Sequence, residues 1–256
     1  MLDDSRDNQD FPKTDFGFEE IPVTEKSKRV RAVFNSVAKE YDLMNDFMSF
    51  GLHRIWKTVT VDVCDFRSGD CVLDLAGGTA DLTKLILKKT PELGQMILAD
   101  INAEMLSIGR NKLIDCGLWK KTKIIQADAE SLPFPNHYFH AVIIGFGLRN
   151  VTNKDIALAE IYRVLRPGGQ VFILEFSECK IPFLKPLYDW YSFNVLPKLG
   201  KVVAKDEESY RYLAESIRRH PNQKALLQLM KEVGFSENKV NNFLGGIVAL
   251  HRGTKL

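Results

Sequence analysis

Three aspartates and a pair of adjacent glycines carry the first chemistry legible in this sequence. In CVLDLAGGTAD, residues 71–81, apolar positions run into Asp74 and a turn of Ala76, Gly77, Gly78 and Ala80, after which LTKLILKK has helical spacing. A buried strand passing through a tight glycine turn into a helix is the layout of a nucleotide-binding βαβ unit, because glycine lets the backbone approach a ligand closely. The dinucleotide pattern GxGxxG does not fit this turn; D-x-(small)-x-G-x-(small), on Asp74, Ala76, Gly78 and Ala80, does. A second acidic residue, Asp100, ends GQMILAD 22 residues beyond Gly78, where a strand-end carboxylate can accept hydrogen bonds from both hydroxyls of an adenosine ribose. Asp128 follows a third strand at 122–126 and can accept from an adenine amino group, while the Ala129 amide can donate to a ring nitrogen. The bland alternatives are a glycine turn in some other α/β domain and a solvent-facing aspartate at a strand end.

These groups converge only if an open parallel sheet presents the carboxyl ends of its strands to one crevice. The chain supplies that sheet: strands at 94–100, 122–126, 139–145 and 170–176 alternate with helical stretches, an α/β doubly wound pattern that brings Asp74, Asp100, Asp128 and Gly145 to one side. Thr152, with Asp155 three residues on, reads as the cap of the helix DIALAEIYRVL, and RPGG ends it. Residues 1–24 read as a loose arm or a partly ordered cover and 25–62 as a helical cover, with Val30, Val33, Phe34, Val37 and Tyr41 on one stripe and Gly51 as a break. The rhythm stops at 177–220, an insertion rich in aromatics and prolines whose helical pieces would sit over the strand ends as a substrate cover or a dimer surface. An amphipathic helix and two strands separated by Gly245 and Gly246 close the chain, completing a seven-stranded sheet with an antiparallel last strand in a single domain spanning 25–256.

Composition narrows the function classes. The formal charge of +2, from 35 basic and 33 acidic residues, gives no general reason to expect nucleic acid as a partner. Cys64, Cys71, Cys116 and Cys179 have no CxxC spacing, which suits reduced thiols in a cytoplasmic protein; no metal site is expected. The polar, acidic start does not read as a signal peptide, and no apolar run reaches the ~18 residues of a membrane span.

Read together, several segments resemble a known family. FNSVAKEYDLMNDFMSFGLHRIWK at 34–57, VLDLAGGTADL at 72–82, GFGLRNV at 145–151, YRVLRPGG at 162–169, SYRYLAESIRRHP at 209–221 and the ending GGIVALHRG are similar to the UbiE/COQ5 quinone-biosynthesis C-methyltransferases. The resemblance implies a class I fold dependent on S-adenosylmethionine (SAM), a Rossmann-like seven-stranded sheet with N-terminal helices and a helical insertion after strand five. It implies cofactor contacts at Asp74, Gly78, Thr79, Asp100, Asp128, Ala129 and Gly145. Gly145 stands where bacterial members carry serine, Asp128 where asparagine is common, and Ala80 where glycine is usual, a methyl that fits a backbone of negative φ.

The implied reaction is SAM-dependent C-methylation of demethylmenaquinol to menaquinol and of 2-polyprenyl-6-methoxy-1,4-benzoquinol to its ring-methylated product. An electron-rich quinol needs no metal, but its hydroxyl proton must be accepted or shared. Arg149 and Asn150, in the loop after the fourth strand, are the candidate catalytic pair: arginine to stabilise phenolate charge or hold a relay water, asparagine to orient that water or a ring oxygen. The alternative places Arg149 in a pair with a helix carboxylate and Asn150 in a turn; Tyr41, His53 and Tyr188 are further candidates. A polyprenyl tail implies transient, peripheral contact with the inner face of the cytoplasmic membrane, through apolar faces at 30–56 and 181–196. A homodimer or a quinone-biosynthesis complex would use the same faces. Two other functions remain open: an O- or N-methyltransferase of another small phenol or amine, and a non-catalytic scaffold subunit.

Overall fold

The computed structural model describes residues 12–38, 40–203 and 206–256, so the first part of the expected arm, residues 1–11, lies outside the described residues. Residues 12–22 differ from a loose arm. Strands β1 (Lys13–Phe16) and β2 (Glu19–Pro22) form an antiparallel hairpin, with Ile21 buried and the Phe16 ring stacked on Tyr212 at 4.2 Å. Three helices follow, α1 (Val23–Val37), α2 (Tyr41–Ser49) and α3 (Leu52–Cys64), with Gly51 in the left-handed conformation at the break the sequence marks.

The central sheet alternates with helices as the hydrophobic rhythm requires. Its first parallel half contains β3 (Cys71–Leu75), α4 (Asp81–Lys89), β4 (Gln95–Asp100), α5 (Ala103–Asp115), β5 (Thr122–Gln126), β6 (Phe139–Gly145) and α6 (Lys154–Val164). Strand β7 (Leu165–Phe176) starts five residues before 170, with a register shift against β6 between Phe139 and Ala141 that absorbs the Pro-Gly-Gly turn. The insertion holds α7 (Leu184–Trp190), a π-helical turn at Tyr191–Val195, α8 (Leu196–Val203) and α9 (Glu207–Arg219). Helix α10 (Gln223–Val233) and strands β8 (Ser236–Phe243) and β9 (Val248–Thr254) finish the chain. The seven strands lie in the order β5-β4-β3-β6-β7-β9-β8, with β9 antiparallel to both neighbours.

Both faces of this sheet are buried because successive strand side chains point to opposite sides. Val72, Ile143, Phe172 and Leu174 face one core with α1–α4 and α9, whereas Leu73, Val142, Ile144 and Ile173 face the other with α6 and α10. The crevice at the carboxyl ends of β3, β4 and β6 lies between these layers and is roofed by α1.

Two local departures bear on that crevice. Ala80 caps α4 at φ 66°, not in the negative range its side chain prefers, and it tolerates this strained conformation fully buried. Thr152 does not cap α6: Asn153 holds the cap position, and Glu130 accepts from the backbone N–H groups of both residues at 3.1 and 2.9 Å.

Gly109 fixes the height of α5 over the turn, since a Cβ there would lie 2.8 Å from the Gly78 carbonyl oxygen. Glycine costs a helix interior up to about 1 kcal/mol relative to alanine, so propensity alone favours Gly109→Ala. The clash reverses the sign: the variant is expected to lose about 1–2 kcal/mol net and to melt several degrees lower in a thermal scan. An unchanged or raised melting temperature would show that α5 does not bear on the turn.

Candidate active site

The turn after β3 is held by two carboxylates with different jobs. Asp74 is fully buried, and one of its oxygens accepts from the Thr83 backbone N–H at 3.0 Å and hydroxyl at 2.7 Å, tying the strand end to α4. Burial pushes its pKa up to about 7 against those hydrogen bonds. Asp100 faces the other way, into a cavity of about 230 Å³. Its oxygens accept from the Gly78 N–H at 2.9 Å and the Asn102 N–H at 2.8 Å, and burial again dominates, raising the pKa to about 6.

A carboxylate offers about four lone-pair sites, so two backbone donors leave Asp100 able to accept two more hydrogen bonds. That capacity fits the vicinal hydroxyls of a ribose. Gly78, at φ 50°, and Gly147 line this cavity, and Gly147 is packed so closely on Ala76 that a Cβ would lie 2.6 Å from the Ala76 Cβ. Asp128 and Ala129 line the same cavity beside Asp100, with Asp128 accepting from the Glu130 N–H at 2.9 Å and keeping its second oxygen open. Phe34, Tyr41 and Phe146 add aromatic walls, and Ala76 and Phe146 hold positive φ values of 53° and 59° at the rim. Positive φ in residues other than glycine is a cost that clusters at ligand sites.

The cavity gathers Gly78, Asp100, Asp128, Ala129 and Asn150, and does not include Asp74, Thr79, Gly145 or Arg149. Asp74 and Thr79 are buried beneath the turn and shape it. At Gly145 a Cβ would lie 2.6 Å from Leu82 Cδ1, so the glycine makes room for α4 and not for a ligand.

Arg149 corrects the sequence-based assignment most. It is 2% exposed, its guanidinium donates to Glu175 at 2.7 Å and to the Phe146 carbonyl at 2.5 Å, and it lies 5.4 Å over the Phe176 ring. Its own N–H donates to the second Glu175 oxygen at 3.1 Å. The partner is a carboxylate of β7, not of a helix, and a guanidinium so engaged is a structural cation behind the cavity wall. Asn150 stays at the wall, where its side-chain oxygen accepts from the Tyr212 hydroxyl at 3.0 Å. That bond leaves the amide N–H groups as the donors toward the cavity. His53 pairs with Asp46 at 2.9 Å and does not line the cavity.

Sequence reasoning missed Glu130, Glu175 and Asn102, and it took Tyr212 only as one of the aromatics of the insertion. Only Asn102 carried a signal, as an N-cap residue two positions before Glu104, whose N–H it accepts at 2.9 Å.

The description "ubiE/COQ5 methyltransferase family" belongs to the family model that matches residues 23–255. A Legionella pneumophila protein named ubiquinone/menaquinone biosynthesis C-methyltransferase UbiE is 56% identical over 238 residues, covering 93% of this chain and 95% of that protein. The Coxiella burnetii protein of the same name is 54% identical over 248 residues, covering 97% and 99%. Among solved structures, a SAM-dependent methyltransferase from Thermotoga maritima superposes with a TM-score of 0.63 at 19% identity, covering 89% of this chain and 100% of that one. A SAM-dependent methyltransferase from Aquifex aeolicus gives 0.59 at 15%, covering 80% and 92%. The structural likeness establishes the class I SAM-dependent methyltransferase fold, and the sequence match over nearly the whole length goes further: the chain belongs to the ubiE/COQ5 methyltransferase family.

Proposed function

We propose that this chain methylates a ring carbon of polyprenylated quinols, converting demethylmenaquinol to menaquinol and 2-polyprenyl-6-methoxy-1,4-benzoquinol to its ring-methylated product. The observation that carries the reading is the near full-length match to C-methyltransferases of ubiquinone and menaquinone biosynthesis, on a fold whose crevice holds a carboxylate, Asp100, with room to accept further donors. SAM supplies a methyl group on a positively charged sulfur. Gly78, Asp100, Asp128 and Ala129 would hold its adenosine portion.

The protein's remaining tasks are alignment and handling of a proton. Asn150 directs its amide N–H groups at a quinol oxygen, and Tyr212 fixes the amide by occupying its carbonyl oxygen. Tyr212 is itself clamped by Phe16 of the hairpin. The Arg149–Glu175 pair acts from behind, setting the path of residues 146–150 and keeping positive potential near Tyr41.

The tail sets a second requirement. Phe183, Leu187 and Trp190 of the insertion are 83%, 62% and 58% exposed, and exposed Phe50 packs on Tyr191 beside them at 4.7 Å. Lys180, Lys185 and Lys198 are exposed on the same insertion. Exposed aromatics beside lysines suit shallow docking on an anionic bilayer, from which a head group could be drawn. Among the described residues no helix is long and apolar enough to cross a membrane. Co-sedimentation with anionic vesicles should exceed that with zwitterionic ones and fall several-fold in Leu187→Ser/Trp190→Ser; equal pelleting by both proteins would remove the docking face.

The direct test incubates the protein with methyl-labelled SAM and each reduced quinol and locates the label by mass spectrometry. Label on the ring carbon is the expected result, and no transfer to either quinol overturns the reading. Tyr212→Phe should lower kcat about tenfold with little change in SAM affinity, a loss of one hydrogen bond's worth of alignment. Arg149→Met should instead unfold at markedly milder conditions, since leaving Glu175 buried and unpaired costs about 3–5 kcal/mol. A fully stable Arg149→Met that had lost only kcat would restore Arg149 to direct catalysis.

Cofactor binding should depend on pH through Asp100. Its carboxylate must be ionised to accept from the ribose, so SAM affinity is expected to hold above a pKa of about 6 and to fall about tenfold per unit below it. Calorimetric titration should show that slope vanish in Asp100→Asn. A slope that persists there would assign it to Asp74, with its pKa of about 7.

A further inference from the structure

Two layers of the protein meet at the cavity beside Asp100. Helix α1 lends it Ser27, Val30, Arg31 and Phe34, and the loops after β3, β4 and β5 lend it Gly78, Asn102 and Asp128. Most polar contacts of α1 run away from those loops. Lys26 pairs with Asp15 and Arg29 with Glu19, both on the hairpin, and the Ser36 hydroxyl lies 3.0 Å from that of Ser209 on α9. The hairpin is fastened to α9 in turn, because the Phe18 N–H donates to Glu215 at 3.0 Å. Hairpin, α1 and α9 are thus tied to one another.

Among the described residues, two hydrogen bonds join this cover to residues 71–176. The Tyr212 hydroxyl donates to the Asn150 side chain at 3.0 Å, and the Asn102 side-chain N–H donates to the Asn35 side-chain oxygen, on α1, at 2.9 Å. Both Asn150 and Asn102 line the cavity.

Asn102 is 3% exposed and holds the other layer as well. Its backbone N–H donates to Asp100 at 2.8 Å, and its side-chain oxygen accepts from the N–H groups of Glu104 and Met105 at 2.9 and 3.2 Å, capping α5. With that oxygen committed to the cap, the amide meets α1 only as a donor. One residue therefore connects the carboxylate that faces the ligand to the helix that covers it. Asn35 itself is exposed and is not among the residues lining the cavity, so it acts through Asn102 and not by touching the ligand.

Resting on the assignment of this cavity to the adenosine part of SAM, we propose that Asn35 is a positioning residue for the cofactor. Its bond with Asn102 latches α1 over the bound nucleoside and sets how slowly SAM, and the S-adenosylhomocysteine left after methyl transfer, dissociate. Val30, Val33 and Val37 keep α1 on the core by contacts that have no direction, and the Asn35–Asn102 bond adds the directional one. A single hydrogen bond at a partly exposed site is weak enough to open in each turnover and strong enough to shift the closed population several-fold.

The test follows release of labelled S-adenosylhomocysteine during a chase with excess unlabelled compound. Wild type is compared with Asn35→Leu, Asn35→Asp, Asn102→Ser and the double variant Asn35→Leu/Asn102→Ser, alongside association rates and the melting temperatures of the cofactor-free proteins. Asn35→Leu removes the acceptor at similar volume, and Asn35→Asp keeps an acceptor oxygen. Asn102→Ser keeps the cap and the backbone N–H on Asp100 but is too short to reach Asn35. Asn35→Leu should release the ligand about fivefold faster with little change in association rate, and Asn35→Asp should restore slow release. Asn102→Ser should match Asn35→Leu, and the double variant should be no faster than either, since all three lose the same bond.

A purely structural role would lower the melting temperature and leave release alone. Wild-type release from a folded Asn35→Leu, or effects that multiply in the double variant, overturns the proposal. Hydrogen exchange on the wild type gives a measure free of substitutions: the α1 amides near Asn35 should be slowed when S-adenosylhomocysteine saturates the protein, and unchanged exchange overturns the latch. Asp100→Ala separates that failure from a failure of the site itself. It should abolish binding, and wild-type affinity in this variant would remove the adenosine assignment and the latch with it.

Discussion

The hydrogen bond from the Gly78 N–H to the Asp100 carboxylate is the constraint on which the site depends. It spans two strands, fastening the turn after β3 to the end of β4, and it requires a buried anion with two oxygens still partly unused. Burial makes that anion costly, which raises the pKa of Asp100 to about 6, and backbone donors only partly offset the cost. A ligand bringing two hydroxyl donors supplies what is missing. Binding such a ligand would draw part of its energy from completing a carboxylate that folding leaves under-satisfied.

A second buried charge organises the opposite wall. The Arg149–Glu175 pair lies almost wholly out of water, and such pairs contribute little net stability against apolar replacements of the same shape. What this one provides is geometry. Glu175 accepts from both the backbone and the side chain of Arg149, which pins residues 146–150 to β7, and Arg149 braces that loop internally through a bond to the Phe146 carbonyl. Phe146 is thereby held at its positive φ, and Asn150 is delivered to the cavity wall.

The sheet was legible because its signal is local: period-two apolar strands, helical stripes and glycine turns follow one another in the chain, and β9 was marked by the Gly245–Gly246 break. Asp100 was legible through its spacing from Gly78. What stayed hidden is non-local. Glu175 reads as one polar letter in an apolar strand, and nothing in the sequence pairs it with a residue 26 positions earlier. Tyr212 reads as one more aromatic of the insertion, and its bond to Asn150 spans 62 positions. The hairpin at 13–22 was hidden for another reason: two four-residue strands rich in charged side chains have no apolar periodicity, and they are stable only because Phe16 and Ile21 find cover in the folded chain.

These hidden contacts change what the covering elements are for. Hairpin, insertion and the loop at 146–150 form one continuous chain of contacts: Phe16 stacks on Tyr212 of α9, and Tyr212 bonds Asn150. Arg218, in the last turn of α9, binds Asp189 of α7, the helix that bears exposed Leu187 and Trp190. Covering helices tied to the site in this way do more than exclude water, since the geometry of Asn150 is complete only when both the hairpin and the insertion are packed against it.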